Sequence, residues 1–163
     1  MQITVIGAGI GGLAVSQALA LRGAHVRVLE QADAIREVGA GIQISPNGAR
    51  VFEALGLSEQ LRDVGLQAQA VQFVDYKGSG VTRLDLSRLA NQDYYFVHRA
   101  DLIDLLAGAA RAAGVEIVLN AEVEALHLDE TPMLRLKDGT EMKPDLVIGA
   151  DGLHSVARQS ICG

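Results

Sequence analysis

Thiol chemistry is almost missing from this chain: Cys162 is its one cysteine, so no internal disulfide can form and a disulfide-built secreted scaffold is excluded. Basic residues are also short, 14 against 20 acidic ones, for a net charge of −6. A net negative chain does not track a phosphate backbone, which argues against a nucleic-acid partner. No apolar run approaches the ~20 residues that a membrane-spanning helix requires. Met1 to Ile6 enters a strand pattern directly, without a basic segment, an apolar stretch or a small-residue cleavage site. With a lone cysteine, these features set the expectation of a reducing cytoplasm and no membrane. His25, His98, His127 and His154 are scattered, and no pair has the spacing of metal ligands. Ser155 lies in no G-x-S-x-G elbow, which removes a hydrolase reading.

What the chain does have is apolar bulk and glycine. Of its 163 residues 49% are hydrophobic, enough for one good core, and 18 are glycine. Ile3 to Ile6 reads as a buried parallel strand, and an Ala/Leu helix over about Gly11 to Arg22 stops at Gly23. Ala24 to Glu30 alternates as a second strand. This strand–helix–strand unit has the length of one βαβ crossover. Ser45 and Pro46 open a helix that runs to about Leu55, and Ser58 is placed to cap a further short turn. Val71 to Tyr76 and Val81 to Leu86 flank Lys77-Gly78-Ser79-Gly80 as a hairpin. Ala100 to Ala113 predicts a helix closed by Gly114. Strands follow at Val115 to Leu119, Val123 to Leu128 and Met133 to Leu136, with a turn at Asp138-Gly139. A last parallel-type strand, Leu146 to Gly149, leads into Asp151-Gly152. The pattern is an α/β fold on a parallel sheet with an antiparallel β insert, in one domain.

The glycines fall where they have mechanical consequences. Gly7-Ala8-Gly9-Ile10-Gly11-Gly12 holds G-x-G-x-x-G at positions 7, 9 and 12, between a predicted strand and a predicted helix. Gly7 permits the tight turn, Gly9 lets a pyrophosphate approach the backbone, and Gly12 lets helix and strand pack closely. The helix N-terminus offers N–H groups and the positive end of its dipole. Seventeen residues, Leu13 to Leu29, separate the loop from Glu30, where a carboxylate can accept from a ribose diol without a 2′-phosphate. The residues thus point to ADP-ribose recognition. They leave FAD and NAD both open, since each carries that half.

Three further segments complete a likeness. Gly39-Ala40-Gly41-Ile42-Gln43-Ile44-Ser45-Pro46-Asn47 resembles the stretch beside the flavin in single-component FAD aromatic hydroxylases. His98-Arg99-Ala100-Asp101-Leu102 resembles their H-R-x-x-L element, and Asp145 to Arg158 is similar to their Asp-Gly fingerprint. The likeness is closest to the salicylate hydroxylase, 3-hydroxybenzoate 6-hydroxylase and 6-hydroxynicotinate monooxygenase branch, and it runs end to end. It implies a Rossmann-like FAD-binding domain over residues 1–163. It further implies that Gly11 and its neighbours hold the pyrophosphate, and that Glu30, with Gln31 beside it, serves the adenosine ribose. Gln43 would sit near the flavin, Arg99 would reach the FAD phosphate or ribityl region, and Asp151 would belong to a motif serving FAD and the reduced nicotinamide.

Each implied role has a local alternative. Arg99 can pair with Asp101 or Asp104, Gln43 can be a loop amide, and Asp151-Gly152 can be a turn after a strand. The resemblance implies FAD as cofactor, NADH or NADPH as transient electron donor, and a small aromatic substrate that gains one oxygen atom from O2. Other readings are an NAD-dependent dehydrogenase domain and a non-catalytic nucleotide-binding or assembly module. Members of the family run to more than twice this length and carry a second Gly-Asp motif that has no match here. The expectation is therefore of a truncated domain without hydroxylase turnover, weak in holding FAD, with no catalytic acid or base assigned. Its uncovered faces, the hairpin strands first, are expected to favour homo-oligomers.

Overall fold

The computed structural model describes residues 1–35, 40–88 and 93–162. In chain order the elements begin with β1 (Gln2–Ile6), α1 (Ile10–Ala20), β2 (His25–Leu29), β3 (Gly41–Ile44), α2 (Pro46–Ala54) and α3 (Ser58–Val64). Strands β4 (Gly65–Gln67), β5 (Ala70–Val74), β6 (Gly80–Asp85) and β7 (Tyr95–His98) follow, with a 3-10 turn over Leu86–Arg88. Then come α4 (Arg99–Ala112), β8 (Glu116–Val118), β9 (Val123–Leu128), β10 (Pro132–Leu136), β11 (Glu141–Met142), β12 (Leu146–Gly149) and α5 (Val156–Cys162). Contacts divide the chain into two compact units: Met1–Glu37 with Ile103–Gly163, and Val38–Leu102.

The first unit is built on a four-stranded sheet in the order β12-β1-β2-β8, with every pairing parallel. Strand β1 is buried on both faces from Ile3 to Ile6, as a central strand of a covered parallel sheet must be. A three-stranded antiparallel sheet, β11-β10-β9, belongs to the same unit. Its Val123, Leu126, Leu134 and Leu136 share a core with Ile6, Leu29 and Ala157. Ile6 and Leu29 immediately precede Gly7 and Glu30, so this core fixes the strand ends that carry the loop and the acid.

The second unit holds the antiparallel sheet β3-β7-β4 and the hairpin β5-β6. In β7, Tyr95 and Val97 are buried while Phe96 and His98 are exposed, the period-2 signature of a strand with one covered face. The hairpin has no such face: Phe73 is 56% exposed, Val81 68% and Tyr76 91%.

Strands β3, β4 and β7 and helix α5 were not expected from the sequence, and two caps differ. Ser45 does hold the cap position of α2, but its hydroxyl bonds the Asn47 side chain instead of a backbone N–H. Ser58 does not cap α3; it is the first helical residue, and the Leu57 carbonyl accepts the first helical bond, from the Leu61 N–H at 2.9 Å. Leu57 is itself held by its N–H donating to the Phe52 carbonyl at 2.8 Å, which carries the chain from α2 straight into α3. Gly39, the first residue of the flavin-side stretch, and Gly163 lie outside the described residues.

Candidate functional site

Because β1, β2 and β12 are parallel, their carboxyl ends fall at one edge of the sheet. Gly7 follows β1, Glu30 follows β2 and Ala150-Asp151 follow β12. Two bonds of 2.8 Å tie the three together, from the Gly7 N–H to the Leu29 carbonyl and from the Ala150 N–H to the Ile6 carbonyl. In open α/β sheets this carboxyl edge is where ligands bind.

The loop glycines separate into two kinds. Gly7 has φ +99°, and a β-carbon there would stand 2.5 Å from the Ala150 carbonyl oxygen. A β-carbon on Gly12 would stand 2.0 Å from the Gly7 carbonyl oxygen, so α1 starts this close to the loop only because Gly12 lacks one. Gly9 and Gly11 are different: a β-carbon on either meets no described atom within 4 Å outside its own turn. Gly9 has φ −73° and ψ 178°, open to any residue, and it stands at the cap position of α1 with no side chain capping the helix. No acid lies in the first turn of α1 to compete for its N–H groups. The protein's own packing demands Gly7 and Gly12; the outer surface of Gly9 and Gly11 is an open cradle, as a pyrophosphate would need.

Glu30 stands beside this cradle. Its Oε2 accepts from the Ala8 N–H at 2.8 Å and its Oε1 from the Ala32 N–H at 3.0 Å. Its backbone is clamped as well, donating to the Val118 carbonyl at 2.9 Å and accepting from the Ala121 N–H at 2.8 Å. Ala8, Gly9, Glu30, Ala32, Ala34 and Ile35 line a hollow of about 140 Å³. An ionised carboxylate has about four acceptor positions, so two remain for hydroxyls entering that hollow. Gln31 is exposed and lines a separate hollow of about 400 Å³ with Asn120, Glu122 and Lys137.

Asp151 has a local task that the sequence did not reveal, because α5 went unrecognised. Its Oδ1 accepts from the Ser155 hydroxyl at 2.6 Å and its Oδ2 from the Ala157 N–H at 3.1 Å. The Ser155 oxygen in turn accepts from the Arg158 N–H at 2.9 Å. The pair caps α5, which packs so close that a β-carbon on Gly149 would stand 2.4 Å from the Ala157 β-carbon. Burial pushes Asp151 up; the bonds from Ser155 and from the backbone at Ala157 outweigh it and hold the carboxyl below the usual carboxylate value. The signal available in the sequence was an acid and a serine four residues apart ahead of Val156-Ala157-Arg158.

In the second unit, Gln43 lies on β3 opposite Phe96 and accepts from the Tyr94 hydroxyl. Arg99 opens α4, and its N–H donates to the Ala40 carbonyl at 3.2 Å. The β3–β7 pairing, with Gly41 opposite His98, thus carries Gln43 on the sheet and sets Arg99 directly after the end of β7. Among the described residues no group of three or more His, Cys, Asp or Glu side chains could hold a metal ion. No described helix is long and apolar enough to cross a membrane.

Residues 1–162 match the FAD binding domain family. The chain belongs to that family. This decides between FAD and NAD, which the glycine loop and Glu30 alone left open. The chain is 40% identical to 3-amino-4-hydroxybenzoate 2-monooxygenase of Streptomyces cremeus, over 99% of its own length and 42% of that protein's. It is 36% identical to 3-hydroxybenzoate 6-hydroxylase of Polaromonas naphthalenivorans, over 100% and 42%. Its fold superposes on the crystal structure of 2-methyl-3-hydroxypyridine-5-carboxylic acid oxygenase with a TM-score of 0.88, at 32% identity, covering 98% of this chain and 42% of that one. The chain therefore spans about two fifths of the length of these relatives.

Two outcomes follow for stability. Gly7→Ala and Gly12→Ala are expected to lower stability by about 1–3 kcal/mol through forced overlap, while Gly9→Ala changes it by only a few tenths. Urea denaturation of the three variants checks this, and equal losses would contradict the division into two kinds of glycine. Asp151→Asn is expected to cost about 1 kcal/mol at neutral pH, as loss of a cap does. Because the folded pKa lies below the unfolded value of about 3.9, the contribution is present above that pH and disappears as pH falls through the folded value. Denaturation curves of wild type and variant should converge at acid pH; a gap that persists there would contradict the role.

Proposed function

We propose that this FAD-binding domain holds the cofactor's ADP half at the carboxyl edge of the β12-β1-β2-β8 sheet, with Gly9 and Gly11 against the pyrophosphate and Glu30 on the adenosine ribose. The observation that carries the proposal is the open cradle over Gly9 and Gly11 next to a carboxylate fixed by two backbone N–H groups. The N–H groups and dipole of α1 favour the phosphates' negative charge. Gln31, Gln43, Arg99 and Asp151 complete the reading: Arg99 as a charged donor for the phosphate or ribityl region, Gln43 as an amide beside the flavin, and Gln31 next to the ribose acid. Asp151 serves through α5, whose start it caps.

The whole protein is proposed to be an NAD(P)H-dependent monooxygenase that adds one oxygen atom to a small aromatic or N-heteroaromatic ring, working in the cytoplasm. The relatives named for aminohydroxybenzoate, hydroxybenzoate and hydroxypyridine oxidation support that substrate class. When bound, the flavin supplies the electron transfer and O2 chemistry, and the residues present here orient its nucleotide end.

Calorimetry on the chain tests the site. Gly9→Val places a branched side chain in the cradle and is expected to abolish measurable ADP binding without unfolding the protein. Wild type is expected to prefer ADP over 2′-phospho-ADP by about tenfold or more, because a phosphate about 4 Å from the Glu30 carboxylate meets roughly 4 kcal/mol of repulsion per unit charge before screening. Unchanged ADP affinity in Gly9→Val, or equal affinity for the two nucleotides, would defeat the assignment.

The exposed hairpin β5-β6 supports a homo-oligomeric assembly through Phe73, Val81 and their neighbours. Light scattering is expected to show concentration-dependent association of the chain, reduced in Phe73→Lys/Val81→Lys. A clean monomer at high concentration would contradict it.

A further inference from the structure

The chain ends its β1 ladder at Gly7, whose N–H bonds Leu29; the next N–H, that of Ala8, is past the sheet and belongs to a residue only 3% exposed. A buried backbone donor requires a partner. Its partner is the Glu30 carboxylate, at 2.8 Å, and the other oxygen of the same carboxylate is taken by the Ala32 N–H, at 3.0 Å. One side chain thus ties the middle of the glycine loop to the turn that follows β2. Its own root is immobilised by the sheet bonds of Glu30 to Val118 and Ala121.

We propose that Glu30 is a positioning residue for the phosphate loop in addition to its part in reading the ribose: the carboxylate is a strut that sets the loop's shape before any nucleotide arrives. The inference rests on the nucleotide-binding reading above. Ala8 lies between Gly7 and Gly9, so a bond that fixes the Gly7–Ala8 amide plane restrains the path by which the chain enters Gly9 and the first turn of α1. Phosphate contacts and ribose contacts are then coupled through one side chain, with two of its acceptor positions facing inward to the backbone and two left for hydroxyls. The strut depends on charge and on length. A glutamine puts an NH2 group against one of the two N–H donors, while its amide can still bond a ribose hydroxyl. An aspartate keeps the charge but is one methylene short of spanning from β2 to Ala8.

The test separates the two roles with a ligand that has no ribose hydroxyls. ADP and 2′,3′-dideoxy-ADP are titrated into the 163-residue chain and its Glu30→Gln and Glu30→Asp variants, with circular dichroism confirming the fold. Amide exchange at Ala8 is measured without ligand. If Glu30 is a strut, both variants lose about tenfold in affinity for dideoxy-ADP as well as for ADP, equivalent to about 1.4 kcal/mol, and Ala8 exchanges faster. If dideoxy-ADP binds the variants as it binds wild type while ADP weakens, Glu30 reads the ribose only, and the strut is overturned with the nucleotide reading intact. If wild type binds neither nucleotide, that reading fails and the Ala8 exchange rate decides the strut alone: an unchanged rate in both variants overturns it.

Discussion

A hydrogen atom where a β-carbon would be, at Gly12, is the constraint on which the site depends. With the Gly7 carbonyl oxygen 2.0 Å from the place a β-carbon would occupy, the first turn of α1 can stand directly over the end of β1. Only then does the helix N-terminus reach the carboxyl edge of the sheet, where parallel pairing has already gathered the ends of β2 and β12. Any larger residue at position 12 would push the helix outward and carry its N–H groups with it. The antiparallel sheet β11-β10-β9 adds to this, its Leu134 and Leu136 sharing one close-packed core with Ile6 and Leu29 at the two strand ends.

Two acids stand at this edge, and the structure gives them different work. Glu30 and Asp151 both follow parallel strands, and both have each carboxylate oxygen engaged by a donor of the chain. Asp151 is spent on the start of α5, and the net effect of its donors is to hold it ionised. Glu30 lines a hollow, and two acceptor positions of its carboxylate are left without a donor from the Ala8 and Ala32 N–H groups. An acidic residue after a strand in a nucleotide-binding fold is therefore ambiguous until its donors are known; here Asp151 is held by a helix and Glu30 by a loop and a turn.

The βαβ unit, the glycine loop and the place of Glu30 directly after β2 were legible because they rest on strong local signals: a β-branched run, glycines at fixed spacing, an Ala/Leu helix and an alternating strand. Strands β3, β4 and β7 were not, since they have only three or four residues and find their pairing partners across long stretches of chain, as Ile44 does with Tyr95. In so short a segment, periodicity cannot tell strand from loop. Helix α5 has only seven residues, too few for a periodic signal, although Ser155 caps it in the usual way and Asp151 adds a bond to Ala157 from five positions before its first residue. Ser58 was read as a cap because its residue type fits one; the Leu57 carbonyl, already fixed by the turn from α2, took that place. The Ala8–Glu30 bond left no trace in the sequence, because its donor is a backbone group that any residue would supply.

The glycines of the loop also carry an energetic argument. Glycine inside a helix costs roughly 0.5–1 kcal/mol relative to alanine, through the freedom it loses on folding, although at a helix cap it is well accepted. At Gly7 and Gly12 that cost is offset inside the protein, because a β-carbon would collide with the Ala150 or Gly7 carbonyl. At Gly9 and Gly11 nothing described in the protein would collide, and the backbone of Gly9 is one that alanine adopts without strain. Gly9 suits the cap position of α1, while at Gly11 the packing of the described residues gives no reason for glycine. A partner that must come closer to the backbone than a methyl group allows would give one, and the positive end of the α1 dipole would favour an anion there, as the proposed pyrophosphate position requires.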